Sequence, residues 1–179
     1  MSLKKAQLEL SDHWGIRSLA VMFVVLTVYA VGDFYLGAYA YAETPPIALL
    51  LASGVIALGL GLTLGRGALR SEKIPAAALF AAAVVAANYS LLLRVNALSA
   101  SEGPQMVTYL YVGDSGFDTE RAGYPKLVLT RFPQNWLEDR VNARHDFEMI
   151  HGALGFYQYN QARFQNEMRE HLIPGVTDH

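Results

Sequence analysis

The 179 residues are 53% hydrophobic, with a formal charge of −2 and no cysteine. So small a charge argues against a nucleic-acid partner, and the missing thiols remove disulfide scaffolds and thiol-ligated zinc. The apolar residues are concentrated in roughly the first hundred positions, which speaks against an ordinary soluble domain.

Residues 1–17 form a polar segment with Lys4, Lys5 and Arg17, and three apolar runs follow: Ser18–Ala42, Pro46–Leu64 and Ile74–Leu93. Each approaches or exceeds the roughly 20 residues that a helix needs to cross about 30 Å of hydrocarbon. Lipid offers the backbone no hydrogen-bond partner, so each run is expected to be a transmembrane helix. The alternative is buried helices of a soluble protein, but three in series lack any amphipathic stripe. A secretory signal, with "AYAYA" as the cleavage region, is set aside because the first run is too long for a signal core.

Lysine and arginine in the short loops set the orientation. Arg17 and the two N-terminal lysines precede the first run; Arg66, Arg70 and Lys73 lie between the second and third; "ETPP" has no cation. The expected location is a bacterial inner membrane, multi-pass, with the N-terminus cytoplasmic and the chain beyond about Leu98 in the periplasm.

The second run carries Ser53, Ala57, Gly61 and Gly65 at four-residue spacing, and the third carries Ala78, Ala82 and Ala86. Such stripes let helix backbones approach closely, a main source of helix association in lipid. They predict a tight antiparallel hairpin, with docking of another subunit as the rival use of either stripe.

One acid, Asp33, interrupts the first run. At 1.5 Å per residue it lies roughly 24 Å beyond Arg17, and Arg94 roughly 31 Å beyond Lys73, so both fall near the outer boundary. Tyr29, Tyr35, Tyr39, Tyr41 and Tyr89 are expected there as an interfacial belt, with Asn88 at the same depth. An ion pair between Asp33 and Arg94 is the expectation. Ion relay by Asp33 is the alternative, weakened because a relay needs successive titratable sites and no second acid or histidine occurs in the runs.

From Ser99 the chain turns polar. "PQMVTYLYVGD" reads as a strand ending at Gly113 and "PKLVLTRF" as a second, with "GDSGFDTERAGYP" as a long turn between them. "PQNWLED" then opens a helix, with Asn135 as N-cap and Glu138 completing a capping box. The helix is expected to run to Pro174-Gly175, supported by the i,i+4 pairs Arg144/Glu148 and Arg163/Glu167, with Gly152 and Gly155 as points of kinking. Phe147, Ile150, Leu154, Tyr157, Phe164 and Met168 form a seam along it, broken at Gln161. Two strands and one helix make a thin core, so part of this seam is expected to meet another protein or the membrane surface.

Catalytic motifs are weak. "GDSG" resembles the segment around the nucleophile of trypsin-like proteases, but the domain is too small and a Gly-Asp turn is the better reading. In "HDFEMIH", His145 and His151 would lie about 240° apart on a helix and so could not share a metal. Glu148 and His151 form an E-x-x-H pair, but di-iron bundles need further carboxylate helices. Membrane haem needs histidines within the helices, whereas His13, His145, His151, His171 and His179 lie outside the runs.

The fold expected is therefore a mainly α membrane protein. Three transmembrane helices (18–98) follow a cytoplasmic segment (1–17) and precede a small extracytoplasmic α+β (ββα) domain with a long C-terminal helix (99–179). The expected function is a non-catalytic accessory or assembly subunit of a secretion, conjugation, respiratory or photosynthetic complex. Its partners would be other integral membrane subunits and the lipid bilayer, with homo-oligomerisation left open and no cofactor or metal. A channel or transporter-like subunit using Asp33 is the alternative.

Overall fold

The computed structural model describes residues 13–129, 142–162, 165 and 166. Three helices, α1 (Trp14–Leu36), α2 (Ile47–Leu64) and α3 (Arg70–Leu98), are long and apolar enough to cross a membrane. The other described elements are strands: β1 (Tyr39–Tyr41), β2 (Gln105–Gly113), β3 (Gly116–Asp118), β4 (Leu127–Val128), β5 (Arg144–His151) and β6 (Tyr157–Asn160). They form one antiparallel sheet in the order β1-β6-β5-β2-β3-β4.

The chain divides into two compact units. The helical unit takes the chain up to Tyr35 together with Ile47–Ser90; the sheet unit takes Leu36–Pro46 together with the chain from Leu91. The link between α1 and α2 and the end of α3 thus belong with the sheet, not with the helices as the hydropathy suggested.

Within the helical unit, backbones meet where side chains are smallest. A Cβ added to Gly61 would lie 2.9 Å from both Cα and Cβ of Ala77, and one on Gly54 would lie 2.9 Å from Val85 Cγ2. A Cβ on Gly15 would run into the Leu64 carbonyl oxygen. Ile16, Leu19, Ala57 and Phe80 form the buried cluster between these contacts. The expected α2 stripe contains the buried positions Ala57, Gly61 and Gly65, with Ser53 half-buried. On α3 the expected stripe is displaced by one position. Ala78, Ala82 and Ala86 are exposed, while Ala77, Phe80, Ala83 and Ala87 are buried. The seam follows the one bulky residue that fills space, Phe80, and the alanines in register with it.

His13 caps α1. Its Nδ1 accepts the Gly15 N–H at 3.2 Å, which puts the ring proton on Nε2, 3.0 Å from the Arg66 carbonyl oxygen.

The sheet unit departs furthest from the sequence reading. The first apolar run does not stay helical to Ala42: α1 ends at Leu36, and Tyr39 and Tyr41, expected in an aromatic belt on a helix, lie on β1 paired with β6. "GDSG" is a hairpin turn. Gly113 pairs with Gly116, and Asp114 and Ser115 between them both have positive φ (49° and 59°), the backbone that two-residue hairpins require. The segment expected as a long turn therefore contains β3.

The long C-terminal helix is replaced, over 144–160, by the hairpin β5-β6. Phe147 and Ile150, expected on one helix face, sit on opposite faces of β5; Leu154 lies in the turn, where Gly155 takes φ 81°, and Tyr157 begins β6. The reason is period two: His145, Phe147 and Met149 point to one side, and pairing with β2 from Gln105↔Met149 to Leu110↔Arg144 gives β5 a full ladder of partners. Arg144 and Glu148 therefore lie about 13 Å apart along one strand rather than as a helical pair. Asn135, Glu138, Arg163, Phe164, Glu167 and Met168 lie outside the described residues.

The core lies on one face of the sheet: Val107, Tyr109 and Tyr111 of β2, Phe117, Leu127, Leu129, Phe147, Met149 and Tyr159, closed by Ala40 and Ala42. Phe147 meets Tyr109 (5.6 Å, 89°), Phe117 (5.4 Å, 82°) and Tyr159 (5.8 Å, 89°) edge to face, the arrangement that aromatic quadrupoles favour. Across the other face of β6 comes Asn96, fully buried on the last turns of α3. Its Nδ2 donates to the Phe156 carbonyl (3.0 Å) and Gln158 Oε1 (3.3 Å). Gly152 is required by this approach, because a Cβ there would run into the Asn96 backbone carbonyl.

Candidate interaction face of the sheet

Because side chains alternate along a strand, β2 presents two different surfaces. Its odd-numbered residues Val107, Tyr109 and Tyr111 are buried; its even-numbered residues Met106, Thr108, Leu110 and Val112 are exposed. Three of those four are apolar, and Val128 on β4 adds a fourth exposed apolar side chain. Over this face runs a groove of about 580 Å³, floored by Met106, Thr108 and Leu110 and walled by Asp118–Arg121 on one side and Arg144 on the other.

The wall from Thr119 to Arg121 is fixed by the edge of β2. The β2-β3 ladder stops at Leu110↔Asp118, leaving the Thr108 and Met106 carbonyls without a described strand beside them. Thr119 Oγ1 donates to the Thr108 carbonyl at 2.8 Å, and Arg121 Nη1 to the Met106 carbonyl at 3.3 Å. Side chains thus take the place of ladder bonds at this exposed edge.

Polar ladders border the apolar strip. Thr108 Oγ1 donates to Asp146 Oδ1 at 2.6 Å. Glu148 on β5 accepts the Tyr39 hydroxyl from β1 (3.0 Å) and the Asn160 amide from β6 (3.3 Å), so one carboxylate ties three adjacent strands. Burial, and then the bond to this carboxylate, raise the Tyr39 hydroxyl pKa above its ordinary value. Lys126 sits 2.6 Å from Asp118, and that hydrogen bond holds the Asp118 carboxyl below its ordinary pKa. On the buried side, burial raises the Tyr109 hydroxyl; neighbouring Tyr124, Tyr157 and Asp118 add to it.

The strand geometry also separates the residues of "HDFEMIH". His145 and His151 point to the concave face and Glu148 to the outer face, so the E-x-x-H spacing places its members apart. Asp33 is half-buried near the end of α1 in the helical unit, and Arg94 is exposed on α3 within the sheet unit; each takes part in an interaction. The sequence reading missed the groove. The signal for it was present in "QMVTYLYV", a strand apolar at both alternating sets of positions, only one of which a single core can bury. Comparison of the chain with family models, with curated proteins and with solved structures gives no match.

Proposed function

We propose that the chain is a non-catalytic accessory or assembly subunit of a multi-protein complex in a bacterial inner membrane, the helices lying in the bilayer and the sheet unit meeting another subunit. One observation carries the reading: Met106, Leu110 and Val112 are exposed along the outer face of β2, and Val128 on β4 is exposed on the same face. Scattered apolar residues are ordinary on a surface, whereas a contiguous patch rimmed by polar groups marks a contact site. The Thr108–Asp146 and Asp118–Lys126 pairs supply that rim. Three helices long and apolar enough to cross a membrane support anchorage in a bilayer. The cationic residues around the first run and the α2-α3 loop support an N-terminus in the cytoplasm and a sheet unit in the periplasm.

Site-specific photocrosslinking tests this. A benzophenone side chain at Val112 or Met106 is expected to give a discrete high-mass adduct in membranes, and one at the exposed loop residue Glu43 is not. Blue-native electrophoresis in mild detergent should show the chain in a larger species. A lone monomer with no adduct at either groove position would overturn the proposal.

A further inference from the structure

A second cleft opens on the concave face, opposite the interface groove. The start of β2, the end of β5 and the start of β6 border it with the loop before β2, enclosing about 160 Å³. That is well below the ~300–1,000 Å³ of sites for drug-sized molecules, and leaves room for one small head group. Its walls are aromatic: Tyr157 packs against Tyr124 (5.3 Å, 48°) and His151 (4.4 Å, 34°). Among the described residues its rim carries one carboxylate, Glu102, and no lysine or arginine; Arg121 touches two of its lining residues, Gln105 and Tyr124.

The polar groups are oriented. Gln105 Oε1 accepts from the Tyr124 hydroxyl (2.7 Å) and from Arg121 Nη2 (2.9 Å). Its amide nitrogen is therefore turned to Glu102, donating to Oε2 at 2.8 Å. This holds the carboxylate at the mouth through one oxygen. The tyrosine wall already attracts positive charge, since the Arg121 guanidinium lies 4.9 Å from the Tyr124 ring centroid. Aromatic faces are negative and draw cations, and an anchored carboxylate adds to the same field. A hard metal ion is a poorer match, because it takes six or more oxygen ligands, whereas the described residues of this cleft offer one carboxylate among rings and amides.

We propose that this cleft binds a small organic cation, an alkylammonium or guanidinium group, seated against Tyr124 and Tyr157 and neutralised by Glu102. The proposal does not rest on the interface reading: the two sites share no lining residue, although Arg121 of the groove wall touches Gln105 and Tyr124.

The test uses the full chain in non-ionic detergent with ring-¹³C tyrosine and histidine. It is titrated with methylguanidinium chloride and with tetramethylammonium chloride, against sodium chloride at equal ionic strength. Saturable shifts of the Tyr124, Tyr157 and His151 ring signals with an organic cation, and none with sodium, are expected. Saturation by methylguanidinium alone assigns a guanidinium site; saturation by both assigns the wider alkylammonium class. Glu102 is exposed, so E102Q leaves the fold intact and should weaken the apparent affinity about two- to fivefold, the range of an exposed charge pair. Non-saturating shifts, equal shifts with sodium, or unchanged affinity in E102Q would overturn the assignment.

Discussion

The two units solve the packing problem by opposite means. In the helical unit, specificity comes from what is absent: Gly61 meets the Ala77 backbone, and Gly15 meets the Leu64 carbonyl, because neither has a side chain in the way. In the sheet unit it comes from what is present, a ring at Phe147 touching three others and a carboxylate at Glu148 joining three strands. The proposed placement, helices in a bilayer and sheet outside it, would explain the contrast. Between apolar helices in lipid there is little hydrophobic gain, and close van der Waals contact decides association; a sheet in water gains by burying large rings. Filling a gap should therefore harm the first unit, and emptying a space the second.

The largest effect should come from Phe147→Ala, which removes the ring at the centre of the aromatic cluster. A loss of about 3–5 kcal/mol is expected, read as collapse of the near-ultraviolet tyrosine signal at lower denaturant. A smaller effect is expected from Gly61→Val, about 1–3 kcal/mol from overpacking against Ala77, seen as a lower melting temperature in detergent. If Gly61→Val proves neutral, close approach is not what organises the helices and the contrast fails.

Glu148→Ala should cost about 1–3 kcal/mol by leaving the Tyr39 hydroxyl and Asn160 amide without their acceptor; Glu148→Gln should recover part of it.

Two pH effects sharpen the picture of the sheet. Tyr109 and Tyr39 have raised folded pKa values, so above their ordinary value of 10.0 the unfolded chain ionises while the folded one does not. Stability is then lost as pH rises from 10.0 through the folded values. Tyr109→Phe should flatten this alkaline fall in a melting series, after a constant cost for the lost bond to the Pro125 carbonyl. At the acid end the folded pKa of Asp118 is lowered, so its contribution is present above 3.8 and lost as pH falls through the folded value. This smallest effect should vanish in Lys126→Ala with neutral-pH stability nearly unchanged.

How much of this could be read from residues alone depended on how many periods a segment allows. "QMVTYLYVG" admits only a strand, and β2 occupies Gln105–Gly113 where the strand was expected to end. Phe147, Ile150, Leu154 and Tyr157 satisfy a helical spacing, yet Phe147 and Met149 equally satisfy a strand. The tie was broken by β2 across the sheet, a partner no local window contains. In α3 alanines fall on every side of the helix, so several small-residue stripes coexist and composition does not choose among them; Phe80 does, by needing a space. The groove was half legible, since its floor is one strand. The cation cleft was not, because Glu102, Tyr124, His151 and Tyr157 come from four segments that only the folded sheet brings together.

The place of β1 has a consequence in time. This strand follows the first helix, yet its partner is the last described strand, and the bond from the Gln161 side chain to the Gly37 carbonyl spans 124 positions. At a synthesis rate of about 5–20 residues per second, β1 leaves the ribosome roughly 6–25 s before the strand it pairs with. For that interval "YAY" is an exposed apolar edge able to join any other open edge. A chain truncated before Tyr157 never closes it, so such fragments are expected to be cleared or to aggregate, while the full chain escapes by finishing.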